Sequence, residues 1–159
     1  MLDQANRQKL IEQLKRHEGR VVATDGRHYT YSCPAGFVTI GYGHNLSANP
    51  LPGVDLQAGL SEDQAERLLS ADLAVVEQEV FDEWAWAGLL NQPRQAVLLN
   101  MGFNLGLARL QGFGNTLNSI ARGNYADAAY RMGVSKWAKQ VGKRARELAD
   151  QMVEGAWQF

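Results

Sequence analysis

Residues 17–44 read HEGRVVATDGRHYTYSCPAGFVTIGYGH, and the fold is decided there. A helix-like pattern stops at His17-Glu18-Gly19. A strand-like run interrupted by glycines closes the stretch at Thr39-Ile40-Gly41-Tyr42-Gly43-His44. Between them lie alternating β-formers, the turn pair Asp25-Gly26 and Cys33, the single cysteine of the chain. An acid at a helix end, facing a short sheet with a polar residue at each bend, builds one wall of a cleft.

Working outward, residues 3–18 read as an amphipathic helix that Asp3 caps, with Leu10, Ile11 and Leu14 on one face and Gly19 at its stop. Residues 20–46 read as two or three short strands: Val21 and Val22, then Tyr29 and Tyr31, then Phe37 to Ile40. Asp25-Gly26 and Pro34-Ala35-Gly36 supply turn chemistry, and residues 47–60 form a loop rich in Pro, Gly and Asn. Ser61-Glu62-Asp63-Gln64 is a helix start of the capping-box type, after which Ala65, Leu68, Leu69, Val76 and Val80 repeat at helical spacing. That long helix is expected to join two lobes. Trp84 and Trp86 follow in a loop or short turn. Pro93 suits the first turn of a helix whose body, Ala96 to Met101, is apolar on nearly all sides and belongs at the centre of the second lobe. Gly102, Gly106, Gly112 and Gly114 punctuate short helices, and 115–122, 124–132 and 134–154 complete the helical part, the last broken near Gly142.

The predicted fold class is therefore α+β. A small antiparallel β lobe (19–60) and a larger all-helical lobe (1–18 and 83–159) are joined by a long helix (61–82), with a cleft between, in one domain spanning 1–159. The 159 residues suffice for a real core, and 45% hydrophobic and 21% charged residues describe an ordinary globular chain. A formal net charge of -1 argues against a generic nucleic-acid binder, although Lys136, Lys139, Lys143, Arg144 and Arg146 cluster near the end. A lone cysteine makes no internal disulfide, and no oxidising compartment is needed. The opening MLDQANRQKL lacks the apolar core of a secretory signal, and no run reaches the roughly 18 apolar residues of a membrane span. The expected place is a cytoplasm, without stable membrane insertion. His17, His28 and His44 lack metal-ligand spacing, GFGNT lacks the lysine of a phosphate loop, and neither metal nor cofactor is expected.

Glu18-Gly19, the run Tyr31 to Gly36 and the run Thr39 to His44 together resemble the phage-type lysozymes, glycoside hydrolase family 24, the endolysins that cut bacterial peptidoglycan. The resemblance returns at Asn100-Met101-Gly102-Phe103-Asn104, Gly112-Phe113, Ser135-Lys136-Trp137 and Arg144 through Trp157, covering most of the chain. It implies a lysozyme-like fold and hydrolysis of the β-1,4 bond between N-acetylmuramic acid and N-acetylglucosamine.

Breaking a glycosidic bond needs an acid for the leaving oxygen and help for the incoming water. The resemblance makes Glu18 the acid, which requires partial burial to keep its proton near neutral pH; the bland alternative is a solvated glutamate at a helix end. Cys33 and Thr39 take the second and third catalytic positions, placing water below the sugar ring with inversion at the anomeric carbon. The second position is commonly aspartate in relatives. Cys33 lies fifteen positions after Glu18 where nine is usual, and the additional residues, around Ala23 to Tyr29, read as a lengthened hairpin. A thiol with a pKa near ~8.5 is a poor base at neutral pH, but it can place a water through weak hydrogen bonds. Asp25 is the alternative carboxylate, although Asp-Gly is first a turn signal. Cys33 could also be a small buried hydrophobe, and Thr39 a plain strand residue.

By the same resemblance Tyr31 packs near the acid, His44 pairs with Asp72 on the long helix, and Arg144 reaches Glu18 to orient it. Exposed roles for His44 and Arg144 are the alternatives. Substrate contacts are expected at Asn45, Phe103, Asn104, Thr116 and Arg131, and at Lys136, which could meet the carboxylates of the peptide stem. The partner is the peptidoglycan glycan strand, met by a monomer that a holin lets out of the host cytoplasm to act on the wall from the periplasm. A wall-binding protein with weak catalysis, a lytic transglycosylase and a helical interaction module remain as rivals.

Overall fold

The computed structural model describes the whole chain except Arg20, Val21, Pro34 and Ala35. In chain order come α1 (Gln4–Glu18), β1 (Tyr31–Ser32), β2 (Val38–Ile40), β3 (His44–Asn45), α2 (Glu62–Glu83), a 3₁₀ turn (Ala85–Leu89), α3 (Gln92–Leu105), α4 (Leu107–Gln111), α5 (Gly114–Ala121), α6 (Tyr125–Gly133), α7 (Lys136–Val141) and α8 (Lys143–Glu154). The class is α+β, as the sequence predicts. The chain divides into two compact units, Ile11–Ala74 and Met1–Leu10 with Val75–Phe159, so that α1 and α2 each contribute to both.

Within Ile11–Ala74 the strands pair antiparallel in the order β1-β2-β3, with Thr39 opposite both Tyr31 and Asn45, and Ile40 opposite His44. The strands are shorter than the β-former runs suggest. Val22 joins no strand and makes one bridge to His28; Val21 and the Pro34-Ala35 turn lie outside the described residues. The lengthened segment is a hairpin whose Asp25 carboxylate accepts from the Arg27 amide at 2.9 Å and the Tyr29 hydroxyl at 2.6 Å. Its base docks on the loop before α2. His28 and Leu60 exchange backbone hydrogen bonds of 2.8 and 2.7 Å, and Arg27 Nε donates to the Ala58 carbonyl. Gly59 permits this approach: a Cβ there would lie 2.7 Å from the His28 carbonyl oxygen.

The helix ends follow their caps. The Asp3 carboxylate accepts from the Asn6 amide at 2.8 Å to start α1. Ser61 and Gln64 close a reciprocal box at α2, Gln64 N to Ser61 Oγ at 3.2 Å and Ser61 N to Gln64 Oε1 at 2.8 Å.

In the other unit, α3 is buried continuously from Gln95 to Gly102, and α8 packs on α3 and α6 through Arg144, Ala145, Leu148, Gln151 and Met152. Gly102 does not end a helix, contrary to the sequence reading. It lies inside α3, where a Cβ would stand 3.0 Å from Val76 and 3.3 Å from Val80. Close helix approach, not turn geometry, calls for glycine at that position. Gly142 separates α7 from α8 as predicted. Arg94 fastens the start of α3 to the chain end: Nε donates to the Met152 carbonyl at 2.7 Å, Nη2 to that of Val153 at 2.8 Å, and the guanidinium stacks 3.7 Å over the Tyr125 ring.

Candidate active site

Glu18 is the last residue of α1 and is half-buried. Across from it stands the turn Gly41-Tyr42-Gly43 between β2 and β3. Both glycines have positive φ, +64° and +82°, and a Cβ on Gly43 would lie 2.8 Å from Oε2 of Glu18. Backbone thus approaches the carboxylate where a side chain would exclude it. Tyr31, on β1, belongs to the same group. Burial raises its phenol above the ordinary value, the Glu18 charge adds to this, the Gly43 amide opposes it, and Cys33 pushes it up again.

Cys33 and Thr39 share one acceptor. The Phe37 carbonyl oxygen takes the Cys33 amide at 2.9 Å and the Thr39 hydroxyl at 3.0 Å. Thr39 is buried, and its hydroxyl proton is committed, so its oxygen lone pairs remain to accept from a water. Cys33 is half-buried beside the same short sheet. Asp25 sits at the exposed hairpin tip, where the Tyr29 hydroxyl and then the Arg27 amide hold its carboxyl below the usual range. Asn45, opposite Thr39, accepts through its side-chain oxygen from the Ser47 and Ala48 amides at 2.9 and 3.1 Å.

His44 is buried, with Nδ1 at 2.7 Å from Asp72 Oδ2 and Nε2 at 2.7 Å from the Asn49 carbonyl oxygen. A carbonyl only accepts, so Nε2 carries a proton; the short Nδ1–carboxylate contact then requires a second proton, on ring or acid. Burial raises the Asp72 carboxyl, while the hydrogen bond and charge of His44 pull it down. This contact ties β3 to α2.

The remaining candidates occupy the other unit. Arg144 is buried on α8, and its Nε donates to Asn100 Oδ1 at 2.9 Å. Asn104 Oδ1 accepts from the Trp137 indole at 2.7 Å, which fixes the amide orientation and leaves its NH2 to donate. Trp137 is buried and meets Phe113 edge-on at 6.0 Å. Two open pockets flank Phe113. One, ≈ 320 Å³, is lined by Thr116 and Arg131 with Asn115, Val134 and Ser135. The other, ≈ 290 Å³, has Lys136, Arg109 and Gln140 around the aromatic pair. Phe103, half-buried on α3, lines neither. The Ser119 hydroxyl, and then Arg131 with its Nε at 2.8 Å, hold the Asp127 carboxyl below the usual range.

Sequence reasoning gave no role to Phe113, which lines both pockets, to Asn100, which holds Arg144, or to Tyr42. The Gly112-Phe113 and Asn100-Met101 motifs marked the first two without revealing their contacts. Among the described residues no group of three or more His, Cys, Asp or Glu side chains is placed to hold a metal ion, and no helix is long and apolar enough to cross a membrane. Compared with known protein families, residues 15–152 match the model of the family described as phage lysozyme.

Proposed function

The chain belongs to the phage lysozyme family and is a lysozyme-type peptidoglycan hydrolase; from that premise we propose that it hydrolyses the β-1,4 bond between N-acetylmuramic acid and N-acetylglucosamine, with Glu18 as general acid. The supporting observation is the pressing of the Gly43 backbone against the Glu18 carboxylate. The Glu18 carboxyl donates its proton to the glycosidic oxygen as the bond from that oxygen to the anomeric carbon breaks. A water on the opposite face attacks the anomeric carbon, giving inversion, and sheds its proton to solvent, from which Glu18 is recharged. Thr39 holds that water by accepting from it, and Cys33, tied to Thr39 through the Phe37 carbonyl, completes its seat.

Asn45, Phe103, Asn104, Thr116, Arg131 and Lys136 are the substrate contacts in this reading, with Tyr31, His44, Asp72 and Arg144 supporting. The chain acts as one monomeric domain, is released by a holin, and lyses the host from the periplasmic side. The test is the turbidity loss of purified cell walls with the wild type and Glu18→Gln, each shown intact by thermal melting. Glu18→Gln is expected to lose at least about 10²-fold in rate, as for removal of a general acid. The reading falls if that variant matches the wild type, and an anhydro sugar end in the products would replace hydrolysis by transglycosylation.

A further inference from the structure

Glu62 opens α2, and the sequence marks it only as part of a helix start. Its carboxylate is a junction. Oε1 accepts from the Tyr42 hydroxyl at 2.6 Å, and Oε2 faces Nε2 of His28 at 2.8 Å. Lys15 brings its ammonium within 3.3 Å of Oε1 and within 3.2 Å of Glu66 Oε2. The same ammonium stands 5.5 Å from the centroid of the Tyr42 ring, a cation–π distance. His28 meets that ring edge-on at 5.1 Å. His28 is fully buried, and its Nδ1 finds no partner among the described residues. Glu62 is therefore what its ring has to bond, with the proton on Nε2.

These partners come from separate pieces of chain: Lys15 from the last turns of α1, His28 from the hairpin base, and Tyr42 from the turn that meets Glu18. Tyr42 carries the only side chain of that turn. It lies buried between two glycines of positive φ, whose backbone is the least restrained by its own chemistry. Its hydroxyl contact ties the turn to the start of α2. Lys15 stands three residues before Glu18 on α1, one helical turn away. One carboxylate thus fastens both the helix end that bears the acid and the turn pressed against it.

We propose that Glu62 is a positioning residue for the reaction: by holding Tyr42 it fixes the Gly41-Tyr42-Gly43 turn at its close approach to Glu18. The assignment rests on the reading of Glu18 as the acid. It also gives the lengthened hairpin a part, because His28 brings the hairpin base to the same carboxylate.

The test compares full-length wild type, Tyr42→Phe, Glu62→Gln, Glu62→Met and Glu18→Gln on soluble peptidoglycan fragments, reading kcat and KM separately and the pH dependence of kcat. Tyr42→Phe keeps the ring and deletes the contact. It is expected to lower kcat by about 10-fold with KM held within about 2-fold, as for a small displacement of a reacting group, and to move the limb of the pH profile that reports Glu18. Glu62→Gln retains an acceptor for Tyr42 and keeps most of kcat; Glu62→Met does not. Rates are scaled to the folded fraction measured by circular dichroism. A Tyr42→Phe variant with wild-type kcat and pH profile, beside an inactive Glu18→Gln, overturns the proposal and leaves the acid in place. An active Glu18→Gln overturns the reading beneath it.

Discussion

Gly43 stands so near Glu18 that a methyl group on its Cα would lie 2.8 Å from Oε2, and its φ of +82° already excludes most side chains. Gly43→Ala therefore meets two penalties, a left-handed backbone costing about 1–2 kcal/mol and a clash with the acid. The expected outcome is a fall in lysis rate of about 10²-fold. The melting temperature should drop by only about 2–8 °C. Turbidity assays beside thermal melts check it; unchanged lysis would mean that the close approach has no bearing on the reaction.

Cys33 and Thr39 hang from one carbonyl oxygen, that of Phe37, so exchanging the thiol alters one side chain without freeing the other. Cys33→Asp should keep or raise the lysis rate, because a carboxylate both accepts from water and can take its proton. Cys33→Ala should lower the rate about 10-fold, the low end of what an acid–base or positioning group contributes. A folded but inactive Cys33→Asp would count against the assignment, and an unchanged Cys33→Ala would turn attention to Asp25.

The Glu62 carboxyl is depressed from its ordinary 4.5 to about 2. Burial, the largest single influence, opposes ionisation, but the hydrogen bonds from Tyr42, His28 and Lys15 and the Lys15 charge outweigh it together. A group depressed on folding stabilises the protein above its unfolded pKa and loses that contribution as pH falls through its folded one. The melting-temperature advantage of wild type over Glu62→Gln should thus be full at neutral pH and shrink between pH 4.5 and about 2. Its size is modest, a few degrees, since the carboxylate is about a third exposed. A gap that stays constant across that window would show that the charge contributes nothing.

Helix boundaries were the most legible feature of the sequence, because their causes are local. Asp3, the Ser61–Gln64 box and the stops at Gly19 and Gly142 each act within a few residues. Gly102 was misread because a glycine demanded by a neighbouring helix looks, in one dimension, like a glycine demanded by a turn. The short strands were blurred for a related reason: Val22 and Phe37 have the β-former chemistry but join no strand, Val22 making a single bridge to His28 and Phe37 accepting from the Cys33 amide. Glu18, Cys33 and Thr39 were singled out only through the resemblance of their motifs, since the fifteen positions from Glu18 to Cys33 depart from the usual spacing. The Glu62 junction could not, since Lys15, His28 and Tyr42 approach it from 47, 34 and 20 positions away and nothing in their types announces a meeting. Arg144 was visible as a residue, while its buried seat on Asn100 became visible only with α3 and α8 side by side.

The Arg94 guanidinium, shared among Met152, Val153 and the Tyr125 ring, has a bearing on how this chain can be handled. The clasp closes before the last residues, so a purification tag or a wall-targeting module joined after Phe159 leaves it untouched. Trimming back into α8 would instead remove both carbonyls, leave the cation only the Tyr125 ring and unseat the helix that carries Arg144.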